Sequence, residues 1–370
     1  MTRKIRRIIR SAALALFLFI LLRLFGVFKP QQPHQAYPGI PSISPFPMFQ
    51  NTEDFSTAAE KTQEIHIVAA VCGNRTTQAL VMMKSALIMC SNFIRFTLFV
   101  DSQSSGILNQ TIRLWPGNIL KRMSFDLRPF SYPDDDGAEI WKKLFRPCSS
   151  ARLFFPSWLK EVDSILYMDV DAVFLSSPLH IWKHLTKMNH VQMVALAPEK
   201  QSYVTGWYPQ LARHPYYGKF GMNAGVMLMN LTKMRQFGWE KHIVRVYERY
   251  KTKIEYGDQD IINVFFHFHP EKLYVYACNY NYISHQCAEM SLCKEAEQQG
   301  IHILHGNADA FVSDRLPALK AIYTSIQQHS FGDSLQMLFA NMKNNLMKTP
   351  TSNSSCFQVM STLPMLLMDT

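Results

Sequence analysis

The chain has 370 residues, 48% of them hydrophobic and 18% charged, a balance that excludes an intrinsically disordered protein and leaves ample length to bury a core. Its formal charge of +10 suggests a nucleic-acid partner until the charge is located. Residues 1–30 hold seven bases and no acid, leaving 31 bases against 28 acids elsewhere, so the excess belongs to one end and nucleic-acid binding loses its support.

In chain order, residues 1–10 read as a basic cytosolic tail. Residues 11–28 are an apolar run (AALALFLFILL, then LFGVF after Arg23) just long enough to span a bilayer. Arg23 stands near its far end, where a long side chain reaches the headgroups. No small-x-small cleavage site follows, so the sequence predicts an uncleaved signal anchor. The chain would then be a single-pass type II membrane protein of the endoplasmic reticulum or Golgi, with the rest in the lumen. Residues 29–63 carry six prolines and little apolar periodicity, the composition of a semi-extended stem.

A globular domain is predicted over 64–331, followed by a tail, 332–370, with no readable structure. IHIVAAVC and FTLFVD read as buried strands, with TTQALVMMKSALIMC between them at helical spacing. AEIWKKLFRPCSSARLFFPSWL predicts one or two helices and SILYMDVDAVFL a strand. PLHIWKHLTKM is again helical and VQMVALAP again extended. Strands alternating with helices predict an α/β fold, a mostly parallel sheet flanked by helices, with ligands beyond the carboxyl ends of the strands. GVMLMNL, DQDIINVFFHF, KLYVYA and GIHILHG continue the pattern. Asn-x-Ser/Thr sequons begin at Asn74, Asn109, Asn230 and Asn353, with Asn74 and Asn230 beside expected strand ends and so enclosed. Of seven cysteines, three cluster between Cys278 and Cys293, which predicts at least one disulfide stapling that loop.

The chemistry centres on Leu166-Tyr167-Met168-Asp169-Val170-Asp171. Apolar residues lead into two acids one residue apart, and in an extended chain both point to the same side. Carboxylates so placed repel unless a cation lies between them, and hard oxygen ligands suit manganese or magnesium clamping a diphosphate. His305, after the strand Ile303-Leu304, is the candidate third ligand, and Gly306 would admit a phosphate close to the backbone. Asn223 opens a strand with an amide able to hold a sugar hydroxyl. Asp258-Gln259-Asp260 stands at the start of a helix, as a cap or as substrate ligands. The same acids also fit a phosphatase pattern, D-x-D-x-V, although two strands precede them here.

The segments KLFRPCSSARLFFPSWLKEVDSILYMDVDAVFL, ARHPYYGKFGMNAGVMLMN, YGDQDIINVFFH and HILHGN together resemble family-eight retaining glycosyltransferases of the Rossmann-like GT-A fold, and specifically the glucoside xylosyltransferases. The resemblance covers residues 65–330. It implies metal ligation by Asp169, Asp171 and His305, and a donor-contacting arginine at Arg152. It implies donor contacts from Val71, Cys72, Gly73, Asp169, Asn223 and Gly306, and catalytic roles for Asp258 and Gln259. It further implies xylose transfer from UDP-xylose in an α-1,3 linkage to O-linked glucose on epidermal-growth-factor-like repeats of Notch-like receptors. Another UDP-sugar such as glucose or galactose, or a chain that binds without transferring, is the alternative. After His305-Gly306-Asn307 the family carries a base, whereas this chain has Ala308 and Asp309, with Arg315 the nearest replacement.

Overall fold

The computed structural model describes residues 64–132, 138–144, 148–199, 207–288 and 292–349, with residues 357 and 360 besides. The chain divides into a unit of residues 1–58 and one of residues 59–370. The first lies wholly outside the described residues, as do the expected tail, anchor, stem and Asn353. The expectation of a single-pass membrane protein of the endoplasmic reticulum or Golgi is corrected: among the described residues no helix is long and apolar enough to cross a membrane. Hydropathy had only counted apolar residues over 11–28, a stretch outside the described part, and such a count carries no evidence that they form a helix.

Seven strands make the central sheet in the order β3-β2-β1-β4-β7-β6-β8. They are β1 (Ile65–Val71), β2 (Ile94–Val100), β3 (Met123–Arg128), β4 (Ser164–Met168), β6 (Val194–Pro198), β7 (Met222–Asn230) and β8 (Leu273–Val275). A small sheet joins β5 (Ala172–Phe174), β10 (Ile303–His305) and β9 (Tyr282–Ile283) in that order. β1 runs parallel to β2 in register from Ile65↔Ile94 to Val71↔Val100, whereas β7 runs antiparallel to both β4 and β6. That reversal positions the site. It brings the start of β7, at Asn223 to Gly225, to the edge where β4 and β6 end.

The strands read as continuous apolar runs because helices cover both faces. The long helices are α1 (Thr76–Ile88), α2 (Ser102–Arg113), α3 (Trp239–Tyr250), α4 (Asp258–Phe268), α5 (Pro317–Gln328) and α6 (Leu335–Met347). One core cluster holds Ile67, Met82, Phe96 and Leu166, and another Tyr167, Phe155, Trp239 and Phe265. Trp239 is 1% exposed and its Nε1 donates to the Leu153 carbonyl at 2.9 Å, so its truncation would cost about 3–5 kcal/mol and loosen the turn that carries Arg152.

Three expectations change. SILYMDVDAVFL is not one strand: β4 ends at Met168, residues 169–171 turn, and β5 belongs to the other sheet. The turn closes through Ala172 N–H on the Asp169 carbonyl at 3.1 Å, so the two acids converge through a bend rather than through extended alternation. The C-terminal segment 332–370, expected to have no readable structure, contains α6, whose Leu338, Phe339, Met342 and Leu346 are buried with residues of α5. Asn74 is exposed rather than enclosed, while Asn230 caps the short helix Leu231–Phe237 by accepting from Lys233 N–H at 2.8 Å. Asn109 lies half-buried on α2, accepting from Arg113 at 2.9 Å. The expected disulfide joins Cys278 to Cys293, and a second, unforeseen, joins Cys72 to Cys148.

Candidate functional site

A cleft of about 700 Å³ opens where β1, β4, β6 and β10 end and β7 begins. Asp169, Asp171 and His305 share it, and their ligand atoms all lie within 4.8 Å of one another. His305 Nε2 stands 3.7 Å from Asp169 Oδ2 and 3.5 Å from Asp171 Oδ1. The backbone ties the three together: Asp169 N–H donates to the Gly225 carbonyl at 2.7 Å, and Gly306 N–H to the Asp171 carbonyl at 2.7 Å.

Whether these groups fit a metal turns on which His305 nitrogen carries the proton. Gly225 N–H, a backbone donor that cannot be reassigned, reaches Asn223 Oδ1 at 2.9 Å. That oxygen also accepts from Asn281 Nδ2 at 2.8 Å, so Asn281 presents its Oδ1 to His305 Nδ1 at 2.9 Å. A carbonyl oxygen only accepts, so Nδ1 bears the hydrogen and Nε2 turns a lone pair toward the two carboxylates. Two hard oxygens and one imidazole nitrogen are a donor set for manganese or magnesium. Burial opposes charge on His305, yet the Asp171 carboxylate 3.5 Å from its Nε2, and after it Asp169, outweigh burial and raise its pKa. Asp171 moves the other way: burial would raise it, and His305 and then Arg75 lower it. Cys278, Cys293 and Glu295 also cluster, but the disulfide removes both thiolates as ligands.

Arg152, expected to meet the donor, is 6% exposed in the turn Ser149–Leu153. Its Nη2 donates to Asp169 Oδ1 at 2.8 Å and its Nε lies 2.9 Å from Asp258 Oδ2. The Ala224 carbonyl accepts from Nη1, and the guanidinium stacks 4.4 Å from the Tyr167 ring centroid. Burial disfavours its charge, but Asp169 and then Asp258 more than compensate, so it stays protonated. Asp258 is 4% exposed, and burial pushes it up to about 6 against the opposing pull of Arg152. Its place is beside Arg152 rather than at a helix cap, since Gly257 occupies the cap position of α4.

Sequence reasoning missed Glu199, fully buried just after β6 and lining the cleft. It accepts from Asn223 Nδ2 at 2.7 Å, Trp207 Nε1 at 2.9 Å and Gln259 Nε2 at 3.2 Å. Burial raises its pKa, with Asn223 and Trp207 pulling back. Apolar VALAP running into an acid is the signal that marked Asp169, and it went unread at Pro198. A continuous line of polar contacts thus runs His305–Asn281–Asn223–Glu199–Gln259. Asn223 spends its oxygen within the protein, orienting this line.

The expected uridine wall is partly corrected. Cys72 and Gly73 line the cleft, with Gly73 N–H donating to Asp101 Oδ2 at 2.7 Å, but Val71 packs in the core and Ala70 lines instead. At Gly306 a Cβ would stand 2.4 Å from Phe311 Cγ, so the absence of a side chain there admits that ring. Asn307, Ala308 and Asp309 line the cleft beside it, and Arg315 donates to the Ala308 carbonyl.

The model of glycosyl transferase family 8 matches residues 66–310. Mouse glucoside xylosyltransferase 2 is 41% identical over 282 residues, covering 73% of this chain and 63% of that protein. Human glucoside xylosyltransferase 1 is 38% identical over 307 residues, covering 80% of this chain and 69% of that protein. The chain thus spans about two thirds of the length of these relatives. Among solved structures, the galactosyltransferase LgtC in complex with donor and acceptor sugar analogs aligns with a TM-score of 0.55 at 18% identity, over 74% of this chain and 98% of that one. That match speaks to the fold, a GT-A-like α/β architecture.

Proposed function

The chain belongs to glycosyl transferase family 8, and on that premise we propose that it is a retaining, metal-dependent glycosyltransferase taking UDP-xylose as donor. The acceptor we propose is O-linked glucose on epidermal-growth-factor-like repeats, joined α-1,3. The names of the relatives support xylose as the sugar. The observation that carries the chemistry is the convergence of Asp169, Asp171 and a His305 whose lone pair faces them.

Those three residues would hold manganese or magnesium, which supplies Lewis-acid stabilisation to a departing diphosphate. Arg152, clamped by Asp169 and Asp258, contributes a fixed positive charge without reorganising, the preorganised electrostatics that lower a barrier most. Gln259 holds Glu199 with its Nε2 and accepts from Ala224 N–H at 3.3 Å, so its amide is fixed at the cleft wall for a sugar hydroxyl. Glu199 and Asp258 are each engaged by donors, and we assign neither as a covalent nucleophile. The acceptor hydroxyl then attacks from the face the diphosphate leaves, its proton passing to a diphosphate oxygen as the glycosidic bond to UDP breaks.

The test is label transfer from UDP-xylose and UDP-glucose to an O-glucosylated repeat, with and without manganese. Xylose transfer that requires metal is expected. Equal use of both donors refutes the xylose assignment, and full activity in chelator refutes the metal-dependent mechanism.

A further inference from the structure

Two charged side chains meet at the cleft with no role in the mechanism above. Arg75 ends the short turn Gly73–Arg75 after β1, and Asp309 lies in the loop after β10, 234 residues later. Arg75 Nη2 donates to Asp309 Oδ1 at 2.8 Å, while its Nη1 donates to Gln78 Oε1 at 2.8 Å. Both Arg75 and Asp309 line the cleft that holds the metal triad.

The charge balance there is uneven. Among the described residues, the cleft walls carry five carboxylates (Asp169, Asp171, Glu199, Asp258 and Asp309) against two guanidiniums. Arg152 is buried and held by Asp169, Asp258 and the carbonyls of Ser149 and Ala224. Arg75 keeps 30% of its side chain exposed, and the acid that neutralises it is 48% exposed. A nucleoside diphosphate adds negative charge to this acidic cleft, and of the two guanidiniums that line it among the described residues Arg75 is the more exposed, 30% against 7%.

The loop presents Asp309 under constraint. Ala308 and Asp309 stand consecutively at φ of 55° and 61°, the left-handed region that side chains other than glycine adopt at a cost. Arg315 holds the Ala308 carbonyl, and the same loop is fastened to the metal-ligand turn through Gly306 N–H and the Asp171 carbonyl.

We propose that Asp309 is an internal anion occupying Arg75, and that the diphosphate of the nucleotide donor displaces it to take Arg75 for itself. The proposal rests on the nucleotide-sugar reading of the cleft. A half-exposed ion pair is cheaply broken, and phosphate oxygens accept from a guanidinium fork in the bidentate geometry it prefers. Arg75 is therefore a donor-binding residue, and Asp309 sets donor affinity by competing for it.

Calorimetric titration of UDP, and separately of uridine, into the full chain with manganese tests this. Asp309→Asn keeps a residue that tolerates the left-handed region and removes only the charge, and it should tighten UDP about 5-fold with uridine unchanged. Arg75→Gln should weaken UDP roughly 10-fold, again sparing uridine, and adding Asp309→Asn to it should then gain less than about 2-fold. Unchanged or weaker UDP binding by Asp309→Asn overturns the proposal, as does a proportional gain for uridine. A wild-type chain that binds no UDP refutes the nucleotide reading itself, a result distinct from wild-type binding that the variants leave unaltered.

Discussion

Gly225 is the position where one methyl group should silence the site. Its φ is ordinary, so the backbone would accept alanine, but a Cβ there would stand 2.2 Å from His305 Cε1, 2.8 Å from His305 Nδ1 and 2.9 Å from Asp169 Oδ2. Ordinary contact begins near 3.4 Å, so the imidazole must retreat by more than 1 Å. It has nowhere to go: His305 is 3% exposed, bonded to Asn281 and paired through β10 with both β5 and β9. Overpacking of this kind costs about 1–3 kcal/mol of stability, and a misplacement of ~1 Å in a catalytic constellation costs on the order of 100-fold in rate. Gly225→Ala should therefore lose at least roughly 100-fold in metal-dependent turnover and about 10-fold in manganese affinity by calorimetry, with a Tm lowered by several degrees. Manganese affinity and turnover within about 2-fold of wild type would refute the placement of β7 against the triad.

Asp171→Asn should abolish manganese-dependent turnover while circular dichroism and Tm stay near wild type, because one of two facing carboxylates is neutralised without loss of volume; near-normal turnover contradicts the ligand assignment. Glu199→Gln should lower stability by about 1–3 kcal/mol in denaturant titration, since its amide NH2 would replace one accepting oxygen and face either Trp207 Nε1 or the amide donors of Asn223 and Gln259; an unchanged midpoint would mean that those contacts do not form. His214 and Asp260, each 1% exposed in side chain, stand 3.1 Å apart. Burial works against charge on His214, but the Asp260 carboxylate 3.1 Å away raises its pKa above the ordinary 6.5, and Asp260, despite burial, is lowered below 3.8 by His214. The stabilisation on the histidine side is complete below pH 6.5 and is lost as pH rises through the raised value; that on the aspartate side is present above 3.8 and is lost as pH falls through the depressed one. The Tm gap between wild type and His214→Gln should accordingly be larger at about pH 5.5 than at about pH 8.5, and equal gaps would sink the ion pair.

Local signals in the sequence carried the α/β order, the three candidate ligands and the Cys278–Cys293 staple. Buried strands advertise themselves as apolar runs, and an acid directly after one stands out. What stayed hidden depended on distance or on choice of sheet. Nothing local shows that β4 and β5 belong to different sheets, so the bend between Asp169 and Asp171 was read as straight strand. β3 (MSFDLR) alternates with polar residues at the edge of the sheet and escaped notice. α6 does carry helical spacing in Leu338, Phe339, Met342 and Leu346, but polar flanks and scattered methionines masked it. Asn281 had no signal at all, because its importance lies wholly in partners 24 and 58 residues away.

The line from His305 through two asparagines to Glu199 and Gln259 has a thermodynamic corollary. An ion drawing on the imidazole lone pair would make Nδ1–H a stronger donor, and the bonds that run donor to acceptor from His305 through Asn281 and Asn223 to Glu199 would polarise one another. An ion at His305 and a sugar at the Glu199 and Gln259 end, as proposed above, would share a coupling free energy equal in both directions: whatever affinity the sugar lent the ion, the ion would return to the sugar. Evolution or engineering that retunes one terminus of this row inherits a change at the other.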